Sequence, residues 1–354
     1  MIKKYLNWSL LSPLIACLLY FSGLILTNTF FQIVAGIFLI LSVLSAVHHS
    51  EVVAHKVGEP FGTIILAVAI TIIEVAIIVS LMTTGGTDTA YLARDTVFAA
   101  TMLILNGIIG FCLMIGGFMH REQFFSKHST NTALVSLVAI ILFTLVLPNY
   151  TTSIAGPVYS KPQLVFVAIS CLVIYGVFLL TQTVRHRSYF LSKTEEEPHK
   201  IPSGGEAIVS LVCLIVCLSI VVLLAKKLSP TIEDMVEQAQ LPKSLVGVII
   251  ATVVLLPEGI AAIKSARKNQ LQNSLNLALG SALASIGLTI PAVTIVCHIY
   301  DLDLILGLDT KSTILLGLSV FIVMLSLSKG KTNMLYGVVL LVNLMAYIFT
   351  IIYP

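Results

Sequence analysis

The sequence is poor in charged residues. Only 10% of its 354 residues are charged, whereas a typical soluble domain has about 25%. Hydrophobic residues make up 57% of the chain, and the mean hydropathy is +1.02. This composition excludes a soluble domain and predicts an all-α polytopic membrane protein. No nucleic-acid partner is predicted.

Motifs of enzymes and of metal centres are lacking as well. The chain has no His-Glu-x-x-His, no paired-Asp motif and no Gly-x-Ser-x-Gly pattern, so an intramembrane enzyme is not predicted. A filter-like carbonyl loop, which would favour a channel, is also missing. The six cysteines lie in apolar runs without metal-type spacing to a His, which indicates small buried hydrophobes. No cofactor is predicted.

Long apolar runs, by contrast, are abundant. A membrane-spanning segment needs about 20 mostly apolar residues. In lipid such segments form helices, because the backbone N–H and C=O groups must hydrogen-bond to one another. We count eleven runs, at about residues 10–28, 30–50, 62–84, 95–118, 132–148, 163–184, 206–226, 244–264, 273–297, 311–328 and 332–353.

Lys and Arg are unevenly distributed between the loops that join these runs. With the N-terminus inside, fourteen of the twenty fall on the inner side, and the positive-inside rule then predicts a cytoplasmic N-terminus and an outer C-terminus. The first run lacks a clear small-residue cleavage site and a second run follows at once, so no cleavable signal peptide is expected. We predict a multi-pass protein of the cell's inner (plasma) membrane.

The runs divide into one extra helix and two groups of five. Residues 1–29 hold the extra N-terminal helix, and residues 30–184 and 206–354 hold five runs each. Because five is odd, the two repeats must have opposite orientations, as in the inverted repeats of many secondary transporters. Residues 185–205 form a cytoplasmic acidic linker that contains Glu195-Glu196-Glu197. A solvated linker and a Ca²⁺-sensing role are both open for this cluster.

Two carboxylates interrupt the apolar runs. Glu258 lies within residues 245–263 and Glu74 within residues 63–81, whereas other acidic residues fall at the ends of runs or between them. An ionisable group at membrane depth is costly and indicates function. Each glutamate is in the second helix of its repeat, so we expect the two to meet near the midplane. Pro257 frees a backbone carbonyl, which either serves a cation or accompanies a plain kink.

Polar residues near the glutamates extend this candidate cation site. Thr71 precedes Glu74 by one helical turn, on the same face. In the next helix of each half, Asn106 and the pair Ser281 and Ser285 are expected at comparable depth. For the two serines, helix packing and cation ligation are equal alternatives.

A second polar stretch precedes the Glu74 helix. It contains His48, His49, Glu51 and His55, and continues to Glu59. Metal binding, a cytoplasmic funnel for cations and a pH sensor are functional interpretations, since His titrates near neutrality. We prefer an amphipathic interfacial helix with solvated charges.

Short motifs around these residues match a known family. The chain resembles the cation/proton exchanger branch of the Ca²⁺/cation antiporter superfamily, and within it the bacterial ChaA-type antiporters. Glu74 takes the place of the first site glutamate, and Asn106 matches an asparagine of the first half. The other matching stretches are His49-Ser50-Glu51-Val52-Val53-Ala54, Gly58-Glu59-Pro60-Phe61-Gly62, Lys268-Asn269, Gly280-Ser281 and Pro291.

The resemblance implies alternating-access exchange of Ca²⁺ for H⁺, with both ions competing for the two glutamates. Thr71, Leu255 and Ala284 replace the amide residues that the family usually carries near the site. The site therefore offers fewer side-chain oxygens, and Na⁺ or K⁺ exchange at the same glutamates is the alternative. The transported ions and the lipid bilayer are the expected partners, and a homo-oligomer is left open.

Overall fold

The computed structural model describes residues 8–26, 28–58, 61–84, 90–191, 202–242 and 244–353. This part of the chain holds thirteen α-helices and one pair of two-residue strands. The predicted cluster Glu195-Glu196-Glu197 lies outside the described residues, as does Glu59.

Helices account for almost all of the described chain. Three π-helical segments, Leu103–Ile108, Leu142–Val146 and Thr181–Arg185, continue α4, α6 and α7. Strands β1 (Gln123–Phe124) and β2 (Lys331–Thr332) pair antiparallel. The α-helices are α1 Trp8–Ser22, α2 Thr29–Val57, α3 Phe61–Thr84, α4 Leu92–Met102, α5 Ile109–His120, α6 Lys127–Ile141, α7 Lys161–Leu180, α8 Arg187–Phe190, α9 Gly204–Gln238, α10 Ser244–Arg267, α11 Leu271–Tyr300, α12 Thr310–Leu327 and α13 Met334–Ile352.

Each predicted apolar run coincides with helix in the structure. Within the described residues, nine helical stretches are long and apolar enough to cross a membrane, and Trp8–Ser22 and Val68–Met82 are shorter apolar helices. The all-α polytopic class is therefore confirmed. The run predicted at 206–226 belongs to a longer helix, α9, because polar residues that favour helices extend it to Gln238.

Side-chain caps define several helix starts. Asn28 and Asn333 each accept a hydrogen bond of 3.1 Å from a backbone N–H of the turn that follows. Ser203 and Glu206 form a reciprocal capping box at the start of α9. Gly58, with φ of 78°, ends α2 in a conformation that residues with a Cβ rarely adopt.

The helices group into two compact units that cut across the sequence halves. One unit takes the described residues of Met1–Gly85 and Glu197–Val246, and the other takes those of Gly86–Glu196 and Gly247–Pro354. The first unit thus combines α1, α2 and α3 with α9. The second combines α4–α8 with α11–α13 and all but the first turn of α10. Each unit draws on both predicted repeats, whose opposite orientation stays a prediction.

In the first unit, hydroxyl groups tie the N-terminal helix to its neighbours. The Ser45 hydroxyl of α2 donates to the Ser9 carbonyl of α1 and lies 3.3 Å from Cys217 Sγ of α9. Ser12 Oγ of α1 donates to the Leu41 carbonyl at 3.4 Å. The extra helix of the sequence analysis is therefore bonded into the fold, since no water in lipid would satisfy these groups.

In the second unit, three predicted inner loops meet at one end. The buried Gln123 side chain donates to the Ala266 carbonyl (2.9 Å) and to Asn269 Oδ1 (3.0 Å). The Phe125 N–H donates to the Gly330 carbonyl at 3.0 Å, beside the strand pair. Loops 121–126, 268–270 and 328–333 therefore form one hydrogen-bonded surface.

The predicted outer loops meet at the opposite end of this unit. The Ile305 N–H donates to the Ala90 carbonyl, and the Gly307 N–H to the Pro157 carbonyl, both at 3.1 Å. The segment 302–309 thus lies as an extended strap across the ends of several helices. Consecutive loops alternate between the two ends, as helices that each cross a membrane require.

Helices α5 and α13 approach each other through glycine. A Cβ added to Gly337 would lie 2.2 Å from the Met114 backbone nitrogen and 2.6 Å from the Gly110 carbonyl oxygen. Small residues of this kind allow close backbone contact between membrane helices. This packing joins α5 to α13.

We expect Gly337→Ala to lower the unfolding temperature of the purified protein, because the added methyl group would overlap with backbone atoms. Overpacking typically costs about 1–3 kcal/mol. Gly317→Ala is the matched control: it lies in α12 with nothing within 4 Å of the added Cβ. Equal unfolding temperatures for the two variants would contradict the close packing.

The two ends of the second unit should face opposite sides of the membrane. Glu122 lies at the Lys- and Arg-rich end and Asp303 at the other end, and both are exposed. In a background without the native cysteines, we expect a membrane-impermeant maleimide to label Asp303→Cys in intact cells. Glu122→Cys should react only after permeabilisation, and the reverse pattern would contradict the cytoplasmic N-terminus.

Candidate functional site

Glu258 lies in the interior of α10 and is 7% exposed. The Ser281 hydroxyl of α11 donates a hydrogen bond to its carboxylate. Closer to the α10–α11 loop, Ser274 Oγ donates to the Ala262 carbonyl at 2.7 Å. These two bonds align α10 and α11 as an antiparallel pair, in which Ser281 lies at the depth of Glu258.

The Glu258 carboxylate has no counter-charge in the part of the chain that the structure describes. Ser281 is its hydrogen-bond donor there, and no Lys, Arg or His forms an ion pair with it. An unpaired charge is costly in the low-dielectric interior of a membrane protein. The carboxylate therefore requires either a proton or a bound cation.

Pro257 leaves a backbone carbonyl oxygen near this carboxylate without its helical hydrogen bond. It lies buried inside α10, and its ring nitrogen has no hydrogen to donate to the Val253 carbonyl one turn earlier. A carbonyl without its helical donor is a suitable ligand for hard cations, which prefer carboxylate and carbonyl oxygens. The carbonyl and the carboxylate lie in adjoining turns of one helix.

Hydroxyl groups continue along α11 from Ser281. Ser285 follows one turn later and Thr289 one turn after that, so the three share a helix face, and all are buried. Within the described residues the Thr289 hydroxyl has no hydrogen-bond partner and the residue is 0% exposed. Thr289 was not among the predicted site residues, although its i, i+4, i+8 spacing with the two serines indicates a shared helix face.

Glu74 and Thr71 lie in α3 of the first unit. They are 3% and 7% exposed, respectively, so both predicted site residues of this helix are buried. Their separation of three residues puts them on one helix face. Glu258 belongs to the second unit, and the expected meeting of the two glutamates stays a prediction.

Asn106 lies in the π-helical segment Leu103–Ile108 and is fully buried. Its Nδ2 donates to Ser319 Oγ of α12, and its Oδ1 accepts from Asn343 Nδ2 of α13, both at 2.9 Å. The carboxamide therefore bonds to these two side chains rather than to Glu258 or Ser281. Neither partner was among the predicted site residues.

The His-rich stretch divides between a buried and an exposed part. His49 is buried, with Nε2 3.4 Å from the Ser9 carbonyl oxygen, whereas Glu51 and His55 are exposed. Among the described residues, no three His, Cys, Asp or Glu side chains lie close enough to hold a metal ion. The exposed charges fit an interfacial helix end, and the buried His49 belongs to the packing of α1 on α2.

A local ion pair lies at the outer end of α4. Arg94 Nη2 lies 2.7 Å from Asp95 Oδ1. Arg94 Nη1 also donates to the Gly307 carbonyl of the strap at 3.2 Å. This pair holds the strap and leaves the Glu258 carboxylate without a cationic neighbour.

Comparison with known proteins gives a family-level match over most of the chain. The sequence profile described as "Sodium/calcium exchanger protein" matches residues 27–184 and 209–353. These ranges include all seven predicted site residues.

Two relatives and one solved structure resemble this chain over most of their lengths. The chain is 47% identical over 302 residues to y4hA of Sinorhizobium fredii, named as an ionic transporter (84% of this chain, 82% of the relative). It is 32% identical over 326 residues to the sodium-potassium/proton antiporter ChaA of Escherichia coli K12 (90% and 88%). The crystal structure of the Ca²⁺/H⁺ antiporter protein YfkE superimposes with a TM-score of 0.72 at 16% identity (98% of both chains).

If Glu258 holds a cation, Ca²⁺ should stabilise the folded protein. At a concentration a hundred times the dissociation constant, binding contributes about 2.7 kcal/mol, which raises the unfolding temperature measurably. We expect this rise in the unaltered protein and in the control Glu122→Gln, whose carboxylate is exposed and paired with Lys331. An equal rise in Glu258→Gln would contradict cation binding at Glu258.

Proposed function

Because this chain belongs to the sodium/calcium exchanger protein family, we propose that it is a secondary antiporter that exchanges Ca²⁺ for H⁺. The observation that carries the proposal is the buried Glu258 carboxylate, which has a hydroxyl donor but no ion pair among the described residues. A group in this environment is stable with either of two partners, a proton or a cation. Competition between these partners is the basis of antiport.

The coupling follows from the cost of a bare charge. A site that has lost both proton and cation has an uncompensated carboxylate in the low-dielectric interior. This cost disfavours the conformational change that moves the empty site from access at one membrane face to access at the other. A protonated site and a cation-loaded site both avoid this cost. Only loaded forms then cross, so cation movement in one direction requires proton movement in the other.

Two carboxylates suit a divalent cation better than one. We propose that Glu74 contributes the second negative charge, because among the described residues it is the other buried glutamate of an apolar helix. Thr71, Ser281, Ser285 and the carbonyl freed by Pro257 would add neutral oxygens. Ca²⁺ takes six to eight oxygen ligands, so water must complete this sparse set.

Exchange of Na⁺ or K⁺ for H⁺ is the second candidate function. The Escherichia coli relative at 32% identity is named a sodium-potassium/proton antiporter, which favours this alternative. The few neutral side-chain oxygens also make the site less specific for a divalent ion. We propose Ca²⁺ as the main substrate, with Na⁺ as a weaker one, in the cell's inner (plasma) membrane.

Both glutamates should be necessary for exchange. Everted membrane vesicles with an imposed pH gradient should release protons when Ca²⁺ is added, and should respond to Na⁺ and K⁺ only at higher concentrations. Glu74→Gln and Glu258→Gln keep the side-chain volume but remove a charge, so each should abolish the Ca²⁺ response.

The control variant Glu122→Gln should retain the full response, because its carboxylate lies in an exposed loop. Robust Ca²⁺-driven proton release by either site variant would reject the two-carboxylate site. A response of the unaltered protein to Na⁺ or K⁺ alone would reject Ca²⁺ as substrate and support the second candidate.

A further inference from the structure

Three buried polar side chains from three elements of the second unit form a closed hydrogen-bond network. They are Asn106 of the π-helical segment, Ser319 of α12 and Asn343 of α13, which we call the amide–hydroxyl cluster. Asn106 and Ser319 are fully buried, and Asn343 is nearly so. None of them carries a charge, so the cluster does not compensate Glu258.

Every N–H and O–H donor of the cluster side chains has an acceptor. Asn343 Nδ2 donates to Ser319 Oγ (2.8 Å) as well as to Asn106 Oδ1, and Asn106 Nδ2 donates to both Ser319 Oγ and the Met102 carbonyl (3.2 Å). Ser319 Oγ donates to the Leu315 carbonyl at 2.7 Å. The hydroxyl thus accepts two bonds and donates one, which uses its full capacity.

The cluster bonds to the π-helical segment Leu103–Ile108 through Asn106. The backbone hydrogen bonds of this segment differ from those of a regular α-helix. A π-helical turn contains one residue more than an α-helical turn, and such turns occur often at functional sites. The backbone of this turn is bonded within its own helix, for example from the Ile109 N–H to the Ile104 carbonyl, whereas the Asn106 side chain bonds to other helices. The bonds from Ser319 and Asn343 to Asn106 fix its position within residues 103–108.

The π-helical segment borders the helix that carries Glu258. The Ile108 side chain lies 3.6 Å from where a Cβ on Gly259, the next residue after Glu258, would be. On its other side, a Cβ on Gly107 would lie 3.3 Å from the Leu344 side chain of α13. The segment is therefore a wall between α13 and the residue that follows the site carboxylate.

We propose that Ser319 and Asn343 are positioning residues of the cation site, which act through Asn106 by fixing the π-helical wall beside Glu258. The proposal rests on the exchange function proposed above. Neither residue touches the carboxylate, so neither is a ligand. When either hydrogen bond is lost, the π-helical segment is no longer held in place and α10 shifts beside the site. This shift weakens cation binding more than it lowers the stability of the fold.

The test is cation-dependent proton release by the full-length protein in vesicles, measured over a range of Ca²⁺ and Na⁺ concentrations. Ser319→Ala and Asn343→Ala should each raise the half-saturating concentration about tenfold, the factor expected for the loss of one buried hydrogen bond. Maximal rates should change less. The double variant should resemble the single ones, because both act through Asn106.

Two further variants separate positioning from stability. Ser326→Ala removes another buried hydroxyl of α12, outside the cluster, and should leave the half-saturating concentration unchanged. Ser319→Thr keeps the hydroxyl and should restore most of the affinity lost in Ser319→Ala. If an alanine variant does not fold, Ser319→Cys, which keeps a weaker donor and acceptor, should show an intermediate rise.

Each remaining outcome has a definite meaning. Unchanged half-saturating concentrations in the cluster variants, with only a lower unfolding temperature, would show a purely structural role and overturn the positioning proposal. That result leaves the exchange function intact. An unaltered protein that releases no protons with any cation would overturn the exchange function and the positioning proposal together.

Discussion

Every polar group inside the apolar layer must find its partner within the protein, because the lipid offers none. The spans meet this requirement first by being helical and then through local bonds. Thr101, Thr144 and Ser170 each donate to the carbonyl one turn earlier, at 2.8 Å. Side chains whose polar groups are not all paired within their own helix form hydrogen bonds to other helices, as Ser45 and Asn106 do. The groups that depart from this rule are therefore informative.

Glu258 departs from it in charge, and the Val253 carbonyl and the Thr289 hydroxyl depart from it in hydrogen bonding. These groups belong to α10 and α11, the pair joined by Ser281 and Glu258. A fully satisfied structure would have no reason to bind an ion at this depth. Buried hydroxyls without a partner also occur elsewhere in the described residues, at Ser42 and Thr96, so the distinguishing feature of this helix pair is its buried carboxylate without an ion pair. This carboxylate gives cation exchange a physical basis beyond family membership. The Asn106 side chain, in contrast, has partners for both its amide nitrogen and its carbonyl oxygen, which suits a supporting role.

The fold class could be predicted because membrane-spanning helices follow from length and hydropathy alone. Helix ends were less predictable, as α9 shows: its polar C-terminal part continues the helix where the apolar run has ended. The compact units could not be predicted, since they depend on packing between helices far apart in sequence. The comparable depth of Glu258 and Ser281 followed from two adjacent helices and a short loop, but the hydrogen bond between them was not predicted. The partners of Asn106 lie more than 200 residues away, and no local pattern reveals them.

The long-range pairing of Asn106 has a consequence for how the chain is assembled in the membrane. Asn106 enters the bilayer 237 residues before Asn343, so during synthesis at about 5–20 residues per second the second partner arrives roughly 12–47 s later. Until Ser319 is made, 213 residues after Asn106, the carboxamide lies at membrane depth with only its own helix to bond to. The same delay applies to α5, whose glycine face stays uncovered until α13 is made. During membrane insertion the polar and glycine faces of the early helices must therefore be shielded from lipid, by temporary contacts with other helices or by the insertion machinery. This need lasts until α13 packs against them.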